Sequence, residues 1–200
     1  MTDGTGDLET TFGPEDVLHY AYAVFHSPTY RRRYEELLRI DFPRLPLTSD
    51  LTLLRALCEQ GRALVNLHLM NVPLDATERP SFPVGGSNEI ISRHPRYAPP
   101  DDSESEEGRV YINEEQYFEG VEPAVWRFHV GGYQVCQKWL KDRKGRALDR
   151  FDDLRHYQNV VATLRRTMER MDTIDTLIDE HGGWPLPGST TADSDSEPSP

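Results

Sequence analysis

Lysine is nearly missing from this chain of 200 residues: there are three, Lys138, Lys141 and Lys144, all in one short stretch. Cysteine is scarcer still. Cys58 and Cys136 lie far apart, without the Cys or His neighbours that zinc or redox chemistry needs, and they read as buried free thiols on apolar helix faces. The seven histidines, at 19, 26, 68, 94, 129, 156 and 181, include no pair at metal-ligand spacing, so no metal site is expected. Gly131-Gly132 lacks the further glycines and the Lys-Ser/Thr of a phosphate-binding loop, and there is no Gly-x-Ser-x-Gly elbow. The paired acids Asp152-Asp153 and Glu114-Glu115 suit a helix start and a turn better than an acid/base pair. With no converging catalytic groups, the chain is not expected to be an enzyme by itself. No apolar run approaches the ~18 residues of a membrane span and no signal peptide precedes Phe12, so a cytoplasmic protein without a membrane partner is expected.

What is present is charge, unevenly spread. The formal net charge is −12, which taken alone argues against a nucleic-acid partner. The acids, however, form an envelope: residues 75–108 sum to −5 and residues 171–200 to −7, whereas from Lys138 to Arg170 ten basic residues stand against five acidic ones. A whole-chain argument would therefore mislead.

Periodicity and turn chemistry predict an α+β, mostly helical fold. Residues 1–12 are expected to be disordered. A first helix starts at Gly13-Pro14 with Val17, Ala21, Val24 and Phe25 as its apolar stripe, flanked by Leu18 and Tyr20. A second follows Ser27-Pro28, carrying Arg31-Arg32-Arg33, either a solvated face paired with Glu35 and Glu36 or a phosphate contact. Phe42, Leu45 and Leu47 are expected in an extended, core-packed segment fixed by Pro43 and Pro46. Ser49 or Asp50 caps a third helix with Leu51, Leu54, Leu57, Cys58, Gly61, Leu64, Val65 and His68, where Gly61 permits a close helix crossing and His68 reads as a core histidine. The prolines between 71 and 108 preclude long elements, and a flexible acidic loop is expected over about 75–108. Strands are expected near 109–113 and 125–130, with a turn at Glu114–Gly120 between them. Asp149 or Asp152 then caps a long C-terminal helix running to about Glu180, with Leu154, Tyr157, Val161, Leu164, Met168 and Met171 as a heptad-like seam that ends at Asp175. One domain over 13–180 and a disordered acidic tail over 181–200 complete the organisation.

The densest stretch is Val125–Arg146, VWRFHVGGYQVCQKWLKDRKGR. Trp126, Phe128 and Val130 alternate with Val125, Arg127 and His129 as in a half-buried strand, and Gly131-Gly132 turns the chain into a short helix. On that helix Tyr133, Cys136, Trp139 and Leu140 form one face, and Gln134, Lys138, Lys141 and Lys144 the other. Arg143, Lys144 and Arg146 surround Gly145 at its end. Such a Gln/Lys face with a basic tip suits a phosphate backbone or groove edge, against the plainer reading of an amphipathic helix whose last cations complement its dipole. The candidate DNA-binding residues are Arg127, Gln134, Lys138, Lys141, Arg143, Lys144 and Arg146.

VYINEEQYFEGVEPAVWRFHVGGYQVCQKWLKDRKGR, followed by FDDLRHYQNVVATLRRTMERMDTID, resembles the C-terminal specificity region of type ISP restriction–modification enzymes and related single-chain adenine-specific DNA methyltransferase–endonucleases. The resemblance extends to EDVLHYAYAVFHSPTYRRRYEELLRIDFPRLPL and RALCEQGRALVNLHL, and so covers Pro14 to about Asp175. In that family one polypeptide carries a nuclease, a helicase-like ATPase, an adenine-N6 methyltransferase and, last, a domain that reads a short asymmetric DNA site. The resemblance implies a non-catalytic target-recognition module, with double-stranded DNA and the methyltransferase and helicase portions of such a system as partners. Departures define its limits. Ala98-Pro99-Pro100-Asp101 is not the Asn-Pro-Pro-Tyr or Asp-Pro-Pro-Tyr tetrapeptide of the methyltransferases, and the cofactor-binding glycines are missing. No cofactor is therefore expected here, and the S-adenosylmethionine and ATP sites of the family would lie outside this chain. The alternative is a helical module docking through its seam on a methyltransferase subunit, with no DNA binding of its own.

Overall fold

The computed structural model describes residues 4–8, 10–100, 107–148 and 151–188; the acidic tip at 101–106, the cap candidate Asp149 and the tail from 189 onward lie outside them. The elements in order are α1 (Pro14–His26), α2 (Pro28–Arg33), α3 (Glu35–Ile40), α4 (Leu51–His68), a 3-10 turn (Ala76–Glu78), β1 (Arg96–Ala98), β2 (Gly108–Tyr111), β3 (Tyr117–Val121), α5 (Pro123–Trp126), β4 (His129–Val130), β5 (Tyr133–Gln134), α6 (Val135–Lys141) and α7 (Phe151–Glu180). The fold is α+β and mostly helical, with a small antiparallel sheet and a long last helix, as expected. It forms two compact units, one from Met1–Asn66 with Glu169–Pro200 and the other from Leu67–Met168, so that the division falls inside α4 and α7.

In the first unit the core joins Tyr20, Ala23 and Val24 of α1, Tyr30 of α2, Leu53, Leu57, Cys58 and Leu64 of α4, and Ile174 and Ile178 of α7. The buried face of α1 matches the predicted stripe only in part. Its second half is as expected, with Tyr20 and Val24 buried and Phe25 packed on the core, but in the first half Val17 and Leu18 are exposed while Asp16 and His19 are buried, because the Asp16 carboxylate is needed as an acceptor, taking the Gly13 N–H at 2.9 Å and the Gly6 N–H at 2.5 Å at the helix N-terminus. Gly61 makes the close crossing its position implied: a Cβ there would stand 1.7 Å from the His19 carbonyl oxygen. Asp50 caps α4 through the Thr52 and Leu53 N–H groups at 2.8 and 3.2 Å. Cys58 is buried and free, its thiol pushed up to about 11 by burial first and by Asp16 second.

Three expectations in this unit need correction. The second helix is broken at Tyr34 (φ −106°, ψ 18°) into α2 and α3. Of the extended segment only Leu45 packs on the core, for Phe42 and Leu47 are exposed, and the segment is held instead by the Tyr20 and Tyr30 hydroxyls donating to the Pro46 and Arg44 carbonyls. Asp175 does not mark the end of packing: it accepts from the Thr29 N–H at 3.0 Å and the Thr29 hydroxyl at 2.7 Å, giving α2's free N–H groups a charged acceptor. The ends of the chain also contribute, since Leu8 and Trp184 pack on this core and Leu186 is buried.

The second unit is built on the sheet β1-β2-β3, antiparallel throughout, with Val110 opposite Phe118 and Tyr97 opposite Val110. Val110, Ile112, Phe118 and Val121 meet Val125 and Trp126 of α5, Cys136 and Leu140 of α6, and Tyr157, Val161 and Leu164 of α7 in one core. The turn expected over Glu114–Gly120 is largely the strand β3, which buries Phe118 and Val121 on either side of Glu119 and of Gly120 at φ +93°. Of the strand expected over 125–130 only His129–Val130 is extended, as β4; Val125 and Trp126 belong to the single-turn α5, because Pro123 at the first helical position presets a turn and puts these neighbours both inside. Parts of the proline-rich segment are firmly tied. Ile90 is buried, and the Gln116 amide donates to the Val84 carbonyl at 3.0 Å and Asn88 Oδ1 at 2.7 Å while accepting from the Asn88 N–H at 2.7 Å. The α7 seam is consumed within each unit's own core rather than offered to a partner.

Two outcomes check these assignments. Gly61→Ala should cost about 3 kcal/mol in a denaturant titration, because backbone must move to admit the methyl group; a variant as stable as the parent sinks the close crossing. His68, whose Nε2 lies 3.0 Å from the Thr167 hydroxyl, and His94 are both held below the usual 6.5 by burial. A folded pKa lower than the unfolded one means that the unfolded chain takes up protons first, so this stability is complete above 6.5 and drains as pH falls below it. Replacing both by Gln should flatten that slope in melting curves, and an unchanged slope would refute the attribution.

Candidate nucleic-acid interface

The stretch 125–146 folds around two inward aromatic rings. Trp126 stacks on Tyr97 with ring centres 5.6 Å apart, and Trp139 lies 5.2 Å from Tyr157 and 5.6 Å from His156. Between them the Cys136 thiol donates to the Val125 carbonyl at 3.8 Å and is pushed up to about 12, chiefly by burial, so it is inert as a nucleophile. This framework explains why so short a helix as α6 forms: its buried Cys136 and Leu140 are worth more than its seven residues of helix propensity.

Gly131-Gly132 does not open the helix. It is the two-residue turn of a hairpin in which His129 pairs with Gln134 and Val130 with Tyr133, and Gly131 takes φ +58°, the sign that the first position of a type II′ turn demands. Tyr133 and Gln134 therefore belong to β5 and not to a helix face. The signal was present in the sequence as a Gly-Gly pair flanked by strand formers, and was outweighed by the helical spacing beyond it.

The seven candidate residues fall into two groups. Gln134 and Arg143 are half-buried and serve the framework: Gln134 Nε2 donates to the Trp126 carbonyl, while the Arg143 guanidinium lies 3.6 Å from the Trp139 ring centre and donates to the Trp139 carbonyl at 3.1 Å. Arg127, Lys138, Lys141, Lys144 and Arg146 are exposed. Arg127 bonds the Pro123 carbonyl at 3.0 Å, Lys141 reaches Gln137 at 2.6 Å, and Lys144, beyond the end of α6, reaches the Ser92 carbonyl at 2.8 Å. Lys138 pairs with Asp142 at 2.5 Å, with both side chains about half exposed. An exposed pair of this kind is worth about 0.5 kcal/mol, too little to hold the lysine against a phosphate. Lys138 and Lys141 are one turn apart on α6, and Lys138 also stands 5.7 Å from the Tyr133 ring centre.

Other arginines that contribute to the basic balance of 138–170 are committed to the fold. Arg165 meets Glu122 at 2.6 Å and Glu107 at 3.1 Å and donates to the Glu78 and Gly120 carbonyls; Arg166 grips Glu78 at 2.6 Å, and that hydrogen bond holds the Glu78 carboxyl below its usual range. Arg155 and Arg170 are exposed as well, but the cations are densest over 125–146, where six basic residues stand against one acid. Among the described residues no His/Cys/Asp/Glu group could hold a metal ion, and no helix is long and apolar enough to cross a membrane. Sequence reasoning missed the exposed pair Val130 and Tyr133, which the hairpin sets side by side.

Three solved structures share this fold. A nuclease-deletion mutant of the type ISP restriction–modification enzyme LlaGI, in complex with a DNA substrate mimic, superposes over 81% of this chain with a TM-score of 0.59 at 19% identity. The ATP-dependent type ISP restriction–modification enzyme LlaBIII bound to DNA does so over 82% with a TM-score of 0.60 at 18% identity, and the DrdV–DNA complex over 82% at 0.52 and 21%. This chain spans only 14%, 11% and 18% of those three chains respectively. No curated protein matches the sequence. The type ISP C-terminal specificity domain family matches residues 3–173, most of the length, and the chain belongs to that family.

Proposed function

We propose that this chain is a non-catalytic DNA target-recognition module of a type ISP-like restriction–modification system, binding duplex DNA through the 127–146 stretch. The observation that carries this reading is a division of labour among its cations. Arg143 is tucked against Trp139 inside the fold, while Arg127, Lys138, Lys141, Lys144 and Arg146 are exposed on a well-anchored framework. Exposed lysines and arginines held by weak local bonds exchange those bonds for phosphates at little cost. Membership of the specificity family and the DNA bound in the similar LlaGI and LlaBIII structures support the same reading. The acidic remainder is compatible with it, because phosphate contact depends on local potential and not on the total of −12. Adenine methylation and DNA cleavage, with their S-adenosylmethionine and ATP sites, would be supplied by other portions of the system, in the cytoplasm.

A second reading has one observation behind it. Leu37, Ile40 and Phe42 leave large apolar surfaces exposed in the first unit, up to 89% for Phe42, as a segment does that docks on a methyltransferase portion. On that reading Ile40→Ser with Phe42→Ser weakens association with such a portion and leaves duplex affinity alone.

The direct test is a salt titration of duplex binding. Changing all five exposed cations to Gln should weaken binding and flatten log K against log salt, by up to about 0.9 in slope for each phosphate that is no longer neutralised. Unchanged affinity and slope would refute the assignment. Core and rim should also separate. Trp139→Ala should destabilise the chain by about 3 kcal/mol, whereas Lys141→Ala should change stability by no more than about 0.5 kcal/mol while reducing binding.

A further inference from the structure

The hairpin β4–β5 has two unlike faces. Directly opposed residues of an antiparallel pair project to the same side, so His129 and Gln134 share one face and Val130 and Tyr133 the other. On the first face Gln134 bonds the Trp126 carbonyl, while His129 is exposed and turns back on its own strand, its Nδ1 2.6 Å from the Arg127 carbonyl. The second pair faces water, with Val130 60% and Tyr133 63% exposed. Among the described residues of this unit, the one other large apolar side chain so exposed is Leu69, immediately after α4. At the tip, a Cβ on Gly131 or Gly132 would meet nothing within 4 Å. A two-stranded ribbon with an aliphatic and an aromatic group on its outer face thus projects beside Lys138 and Arg127.

Resting on the DNA reading above, we infer that this hairpin is the base-reading element: it enters the major groove and sets Val130 and Tyr133 against base edges while the surrounding cations hold phosphates. Size supports it. Paired strands lie ~4.8 Å apart, and with their side chains they fill about 10 Å, which suits the ~12 Å major groove and not the ~6 Å minor groove. The pair exposes roughly 200 Å², so it is one contact within a larger interface and not an interface in itself. Charge points the same way, with six basic residues and one acid over 125–146. The chemistry of the contact follows from the groups: Val130 offers an aliphatic surface to a thymine methyl, and Tyr133 adds a ring and a hydroxyl that both donates and accepts.

The experiment uses the full chain and a pool of random-sequence duplexes. Sites enriched by the parent chain are compared with unselected duplex, giving a ratio of affinities, which is then measured for Val130→Ser with Tyr133→Ser. The ratio should fall about tenfold or more, the size of one or two base-edge interactions. A second measurement is independent of the variant's folding: enriched duplexes carrying 5-iodouracil in place of thymine, irradiated with the parent chain, should crosslink to Tyr133. A folded variant with an unchanged ratio overturns the inference while leaving the DNA reading intact, as do crosslinks confined to other residues. Loss by that variant of a methyltransferase partner, with the ratio unchanged, would assign the pair to a protein contact and also overturns it. If the parent chain binds no duplex at all, the DNA reading fails first and this inference with it.

Discussion

The second unit depends on one ring. Tyr157, on α7, has no exposed surface and is met by Phe118 of the sheet at 4.5 Å and by Trp139 of α6 at 5.2 Å. Sheet, short helix and long helix thus converge on a single side chain, and burial drives its hydroxyl well above the usual tyrosine range. Aromatic contacts of this kind contribute about 1 kcal/mol each beyond the area they bury, and here they also fix direction. Because Trp139 is pinned on one side by Tyr157 and covered on the other by Arg143, α6 has one available orientation, and its lysines inherit it.

A second constraint is ionic and lies at the sheet's rim. Arg165 gathers Glu107, Glu122 and two backbone carbonyls, joining α7 to the end of the β2–β3 pair where β2 begins and β3 finishes, while Arg166 holds the 3-10 turn through Glu78. Bidentate and multiply bonded guanidinium groups specify geometry more strongly than lysine does. The scarcity of lysine then acquires a structural meaning. Several arginines build the unit, and all three lysines stand exposed in the stretch proposed to touch DNA.

How much of this was legible beforehand varies with the range of the interaction involved. The start of α1 at Gly13-Pro14, the Asp50 cap and the Gly61 crossing follow from local chemistry and were all readable. So was the long α7, because its apolar spacing is sustained over many turns. What was misread required partners distant in sequence. Asp16 is inside α1 because Gly6 and Gly13 need an acceptor, and Asp175 sits on a seam because α2 needs one 146 residues earlier in the chain, at Thr29. Strand β3 was hidden by its own composition, since YFEGV carries a glycine and an acid yet pairs with β2 at every residue but Gly120, where the register shifts. At the candidate site the identity of the cations was plain from sequence, but not their occupation. Nothing in KWLKDRKGR says that Arg143 lies on Trp139 whereas Lys138 is held only by an exposed carboxylate.

The empty space around the hairpin turn has an evolutionary corollary. Gly131 is bound to its residue type by a positive φ, but Gly132 is not, and a Cβ there would meet nothing within 4 Å. Positions 130, 132 and 133 can therefore drift together without disturbing the packing centred on Tyr157. Mutational tolerance and the tip of the ribbon coincide, so new tips can be tried on an unchanged scaffold without passing through unstable intermediates.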